Sequence, residues 1–207
     1  IFYPSLNTIA PSENMLGHLP ITAPAYALTG NALIVLKAMA LESFFLAGMG
    51  MFALIFFHTR NAGAALVAGA AFAFAPWRVE GFPHPQYLAT GMIPLAFLAI
   101  DLWLERRKPR HLAGLALAIA AQILFCLYLG YFILFAVAAY GTARWFAANP
   151  RTFGTLVQLG MASAIGALLA TPIALPYLRA RGEGILPPFD PSQFVGHAWA
   201  PWDYLSL

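Results

Sequence analysis

Six long apolar runs, separated by short polar segments, dominate the chain. They cover about residues 31–57, 62–77, 87–104, 112–128, 131–146 and 153–178. A helix of about 20 apolar residues crosses the hydrocarbon core of a bilayer. The pattern therefore predicts an all-α integral membrane protein with about six transmembrane helices in residues 31–178. Residues 1–30 and 179–207 are predicted to form segments outside the spans.

The apolar stretch 112–146 must be divided into two helices, because a single helix of this length would be roughly 50 Å long. The hydrocarbon core of a bilayer is only about 30 Å thick. Basic residues flank both of its ends, in 105–111 before it and at Arg144 and Arg151 near its far end. Short basic loops stay on the cytoplasmic side, so both ends face the same side. Two ends on the same side of the membrane require an even number of crossings, which predicts two helices joined by a tight outer turn near 129–131.

The basic residues of all the loops together support this topology. The predicted inner side collects Arg60, Arg106, Arg107, Lys108, Arg110, Arg144 and Arg151. The predicted outer side carries fewer, namely Arg78, Arg179 and Arg181, of which the last two lie close to a span end. Both chain ends are then expected outside.

Composition narrows the class of protein. Of the 207 residues, 61% are hydrophobic and 9% charged, whereas a soluble domain carries about a quarter charged residues. The single cysteine, Cys126, excludes an intrachain disulfide. No phosphate-binding loop, zinc-ligand spacing or nucleic-acid-binding surface is present. The chain starts IFYPSL, without an initiator methionine, and we interpret it as a piece of a longer protein or a processed one.

Polar residues concentrate in the loop APWRVEGFPHPQYL, residues 75–88. Its three prolines discourage helix and stiffen the loop. His84 and Gln86 would thus be hydrogen-bonding groups held in position on the outer side. The alternative is an interfacial loop in which Arg78 and Glu80 merely pair in water.

The first thirty residues share the outer side and contain too many prolines to span the membrane. Ser12 is expected to cap a short surface helix, with Glu13 in its first turn as a partner of the helix dipole. His18 is expected to be an interfacial histidine. In the first span, Lys37 is expected to snorkel outward. The partner of Glu42 is open, and an ion or proton path is the alternative.

Several phrases carry a resemblance to a known family: FYPSLNTIAPSENMLGHLP with PAYALTGN in 2–31, AGAAFAFAPWRVEGFPHPQYLATGMIPLAFLAIDLW in 68–103, and ERRKPR. On these phrases the chain resembles bacterial multispanning proteins of the GT-C glycosyltransferase superfamily. The closest likeness is to a poorly characterised branch with FYP, SE and LTGN in one outer loop, an AFAFAP span end and an HxQ segment.

The resemblance implies a glycosyltransferase of the bacterial cytoplasmic membrane that uses a lipid-phosphate sugar donor at the outer face. It implies that Glu13, at the second acidic position of the loop, acts as acceptor base or as a ligand of a divalent metal ion such as Mg²⁺ or Mn²⁺. The family's first aspartate would precede Ile1. His84 and Gln86 match the HxQ segment, and membrane lipid and a lipid-linked sugar are the implied partners.

Arg78, Arg179 and Arg181 are charged donors suited to the donor phosphate. Anchoring to lipid headgroups is the alternative for them. We expect Glu13, Arg78, His84 and Gln86 to converge on one outer cavity, with Arg179 or Arg181 at its rim.

Two other classes of function remain open. A transporter or lipid flippase would use Lys37, Glu42 and helices broken near the midplane. A noncatalytic membrane subunit would need none of the proposed catalytic groups.

The topology predicts that position 108 is accessible only from the cytoplasm. A Lys108→Cys variant in a Cys126→Ala background should react with a membrane-impermeant maleimide in inverted vesicles and stay unlabelled in intact cells. Labelling of position 108 from outside the cell would overturn the topology.

Overall fold

The computed structural model describes residues 13–80, 84–148 and 151–184, and all regular structure in these ranges is helical. The α-helices are α1 (Leu19–Thr29), α2 (Ala32–Thr59), α3 (Ala62–Ala73), α4 (Pro76–Glu80), α5 (Met92–Arg106), α6 (Pro109–Phe125), α7 (Leu127–Ala147), α8 (Phe153–Leu169) and α9 (Thr171–Gly182). Two 3-10 turns, Leu16–His18 and Pro85–Leu88, complete them.

The fold is that of an all-α, multi-pass membrane protein. Within the described ranges, five helical segments are long and apolar enough to cross a bilayer: Ala32–Thr59, Ala62–Glu80, Pro85–Arg106, Leu127–Ala147 and Phe153–Ile173. A sixth apolar helix, α6, has 17 residues and is therefore about 26 Å long. The six predicted apolar segments are thus six helical stretches, with the α6 helix the shortest candidate for a complete crossing.

The junction of α6 and α7 lies earlier than predicted. The two helices meet at Cys126, whose backbone is extended (φ −161°, ψ 117°), and the predicted turn at 129–131 lies inside the first turns of α7. Gly130 serves packing instead, because a Cβ at this position would lie 2.7 Å from the Cα of Ile123.

The last predicted span, 153–178, is divided into two helices. α8 ends at Leu169, and α9 begins at Thr171 with a proline in its first turn. Pro172 has no N–H and cannot continue the hydrogen-bond ladder of α8, whereas the first turn of a helix accepts it readily.

The helix α1 in the described part of the N-terminal segment is too short to cross a bilayer, because it has only 11 residues. Its first turn begins at Leu16, where the side chain of Asn14 accepts a hydrogen bond from the Leu16 N–H at 3.1 Å. The prediction of a helix start near Ser12 was wrong by about one turn, and Ser12 itself lies outside the described residues. Gly30, with φ 59°, reverses the chain so that α1 packs along α2.

Small residues permit close helix contacts at two glycines. A Cβ at Gly69 of α3 would lie 2.7 Å from the carbonyl oxygen of Gly48 on α2. One at Gly50 would meet the carbonyl oxygen of Gly91 at the same distance. Apolar side chains of α5 to α8 form the buried core, including Ile100, Leu115, Ile119, Ile133 and Leu159.

One end of the bundle is held by Asp101, whose side chain is completely buried. Its carboxylate accepts hydrogen bonds from Tyr140 Oη and Arg144 Nε, both at 2.6 Å, and lies 2.9 Å from His58 Nε2. Arg107, which directly follows α5, donates to Thr155 Oγ1 at 2.7 Å. The contacts of Arg107 and Arg144 place both basic segments at one end, which we name the predicted inner end.

Replacement of Asp101 should destabilise the fold strongly. Asp101→Ala leaves the partners of a buried carboxylate unpaired, a loss of about 3 kcal/mol in the free energy of unfolding. Glu105→Gln is the matched control, because Glu105 is an exposed acid on the same helix. Denaturation of both variants in detergent would measure the difference, and equal stabilities would contradict the role of Asp101.

Candidate functional site at the predicted outer end

Glu13 lies at the opposite end of the bundle, against the start of α7. Its Oε2 accepts a hydrogen bond from the Leu127 N–H at 2.8 Å, and the Cys126 thiol lies near this carboxylate. The first N–H groups of a helix lack partners within the helix and carry partial positive charge. Glu13 is therefore a dipole partner, as one interpretation predicted, but of α7 rather than of its own helix.

Asn14 extends this contact to α6 and α9. Its Nδ2 donates to the carbonyl oxygen of Ile123 at 3.3 Å, and its side chain lies close enough to Tyr177 of α9 to interact with it. We call Glu13 and Asn14 the N-terminal clasp. The clasp joins the N-terminal segment to α6, α7 and α9 at the predicted outer end.

Arg179 and Arg181 follow Tyr177 on α9, and both are exposed. Arg181 is one helical turn beyond Tyr177 and therefore shares its face of the helix. The end of the bundle that carries Glu13 thus also carries the two exposed cations predicted for the rim.

Two tyrosines connect His84 with the clasp. The rings of His84 and Tyr87 are 5.7 Å apart, and those of Tyr87 and Tyr128 are 5.9 Å apart. Tyr128 is the neighbour of Leu127 in sequence, so the row of rings leads to the helix start that Glu13 caps. His84 is exposed and Gln86 is half-buried. The described hydrogen bonds and ion pairs include none between Glu13 and His84.

Arg78 lies in the interior and not on an exposed loop. Its side chain is fully buried, and all of its nitrogens donate to the protein. Nε donates to the Ala73 carbonyl at 2.9 Å, Nη1 to Thr90 Oγ1, and Nη2 to the carbonyls of Leu88 and Ser43 at 2.7 and 3.3 Å.

This environment changes the interpretation of Arg78. The guanidinium also lies 5.4 Å from the ring centre of Phe44 and 5.5 Å from that of Trp77, where cation–π attraction adds to the hydrogen bonds. The alternative in which Arg78 pairs with Glu80 in water is wrong, since Glu80 is exposed and Arg78 is buried. A phosphate could reach this cation only by displacing protein contacts.

Glu42 has a partner that the sequence left open. His18 Nδ1 lies 2.9 Å from Glu42 Oε2. The Glu42 side chain is 13% exposed, whereas His18 is buried rather than interfacial. Lys37, in contrast, is exposed, as expected for a snorkelling side chain.

The groups around Glu13 do not by themselves form a site for a divalent metal ion. Within 13–80, 84–148 and 151–184, no group of three or more His, Cys, Asp or Glu residues could hold one. In the described part of the chain, the residues near Glu13 include Asn14, Cys126, Leu127 and Tyr177, and these supply no second carboxylate for Mg²⁺ or Mn²⁺.

Sequence reasoning missed Asn14, Tyr87, Tyr128 and Tyr177 as parts of this end. Asn14 and Tyr87 lie next to predicted site residues in the sequence, and this adjacency could have identified them. Tyr128 and Tyr177 lay inside predicted spans, where an aromatic residue is ordinarily lipid-facing or buried.

Comparisons with protein-family models, with curated proteins and with solved structures gave no match.

Arg78→Lys should destabilise the protein although it conserves the charge. Lysine cannot reproduce a planar fork that reaches four acceptors, and several buried acceptors would lose their donor. We expect the thermal midpoint in detergent to fall by at least 5 °C, roughly the effect of a loss of 2 kcal/mol. Arg179→Lys, at an exposed site, should leave the midpoint unchanged. A stable Arg78→Lys variant would show that charge alone suffices.

Proposed function

We propose that the chain is part of a GT-C-type glycosyltransferase that transfers a sugar from a lipid-phosphate donor to an acceptor at the outer face of the cytoplasmic membrane. One observation carries the proposal. The half-buried carboxylate of Glu13 is held at the end of an apolar bundle that also carries exposed His84, half-buried Gln86 and the arginines of α9.

In this proposal, Glu13 acts as the general base. Its carboxylate takes the proton from an acceptor hydroxyl while the hydroxyl oxygen forms a bond with the anomeric carbon of the sugar. The bond between that carbon and the phosphate oxygen breaks, and its electron pair leaves with the phosphate. The Leu127 N–H orients the carboxylate, since it occupies Oε2 at 2.8 Å.

The other predicted residues act on the donor. Arg179 and Arg181 offset the charge of the leaving phosphate, because both are exposed and guanidinium groups bind phosphate oxygens well. His84 and Gln86 orient the sugar or phosphate by hydrogen bonds. Arg78 acts indirectly in this scheme, since its buried guanidinium fixes Leu88 and Thr90 after the HxQ segment.

A noncatalytic membrane subunit is the second candidate. It is favoured by the contact of Glu13 with the Leu127 N–H, because a carboxylate that caps α7 has a complete structural role without any reaction. The two candidates differ in what they require of Glu13, namely a negative charge for catalysis and an accepting oxygen for capping.

Glu13→Gln separates these requirements. Glutamine keeps an oxygen that accepts from Leu127 but cannot take a proton. In membranes that contain the full-length protein, we expect Glu13→Gln to lower transfer from a labelled polyprenyl-phosphate sugar by about 100-fold or more. The amount of folded protein should remain unchanged, and His84→Ala should lower the transfer less.

Glu13→Ala is the companion variant, because it removes the capping oxygen as well as the charge. If Glu13→Gln retained wild-type transfer while Glu13→Ala lost folded protein, the cap would be the whole role of Glu13. A wild-type protein inactive with every lipid-phosphate sugar tested would favour the noncatalytic subunit. Glu105→Gln, at the predicted inner end, controls for a general effect of charge loss.

A further inference from the structure

A small cavity lies beside the first turn of the N-terminal segment, between α2, α6 and the start of α5. It offers about 10 Å³ to the centre of a water-sized sphere. Its lining is formed by His18, Ser43, Leu46, Ala89, Gly91, Met92 and Phe125. A space of this size accommodates about one water molecule.

His18, which lines this cavity, carries a buried nitrogen without a hydrogen-bond partner among the described residues. The side chain is 1% exposed, and its Nδ1 is held by Glu42 Oε2 at 2.9 Å. The ring also packs edge-on against Phe125, with centroids 4.7 Å apart. These two contacts fix the ring, and its other nitrogen, Nε2, is buried without a hydrogen-bond partner among the described residues.

Ser43 contributes a second such atom. It is 2% exposed, and its Oγ has no partner in the described part of the chain. A serine inside a helix ordinarily donates to the carbonyl four residues earlier, as Ser163 does to Leu159 at 2.9 Å. The Ser43 hydroxyl does not, although the Ser43 carbonyl accepts from Arg78.

We propose that this cavity is a binding site for one water molecule, which bridges His18 Nε2 and Ser43 Oγ. Buried polar groups without partners are costly, and the two residues that carry the orphaned atoms both line one space of the right size. Water both donates and accepts, so it satisfies Nε2 in either protonation state of the histidine. The site completes a chain of contacts from Glu42 through His18 and the water to Ser43.

The proposed water has a structural role that does not depend on the proposed glycosyl transfer. His18 and Ser43 lie on the N-terminal segment and on α2, respectively, so the water joins these two elements. It does so beside the Ser43 carbonyl that Arg78 holds.

A structure of the full-length protein in nanodiscs, at a resolution that shows ordered water, tests the site directly. We expect one density peak at about 2.6–3.2 Å from both His18 Nε2 and Ser43 Oγ. A direct hydrogen bond between these atoms, or a cavity without density, would overturn the proposal.

Variants provide a second, energetic test. Ser43→Ala removes one partner of the water and should lower the thermal midpoint by about 2–4 °C. Ser163→Ala is the matched control, since its hydroxyl bonds only its own helix, and should lower the midpoint less. In a His18→Phe background the effect of Ser43→Ala should shrink to less than half, because the second partner is already gone. Additive effects would contradict a shared water.

Discussion

The buried guanidinium of Arg78 organises the predicted outer half of the bundle. Hydrocarbon offers no hydrogen bonds, so a cation within an apolar bundle must find its acceptors in the protein. Arg78 finds them at the end of α3, in α2 and in the segment from Leu88 to Thr90. These hydrogen bonds hold the end of α3 and the segment before α5 against the middle of α2.

Asp101, at the other end, is a buried group of opposite charge that also needs its hydrogen-bond partners within the protein. Its carboxylate is satisfied by side chains of α2 and α7 rather than by backbone. The bundle is thus joined at both ends by buried polar groups, and small residues such as Gly69 provide close contact between them. Apolar packing alone would specify these helix positions weakly, because lipid tails compete for the same surfaces.

The N-terminal clasp makes the candidate site a product of tertiary structure. Glu13 and Leu127 are 114 positions apart, and the exposed arginines of α9 reach this end through the contact of Tyr177 with Asn14. The family resemblance indicated Glu13, and the proline-stiffened polar loop together with that resemblance indicated His84 and Gln86. Their neighbours could not be identified from the sequence, because nothing around an aromatic residue in an apolar run indicates which residue it contacts.

The sequence by itself determined the all-α membrane fold, the six apolar segments and the shared end of the two basic segments. These follow from hydropathy and charge, which act locally along the chain. Tertiary structure alone decided that α7 begins at Leu127, that Glu42 pairs with His18, and that Arg78 is buried. The reason is physical: a polar group in an apolar bundle takes whatever partner folding brings within about 3 Å, and sequence separation places no limit on that choice.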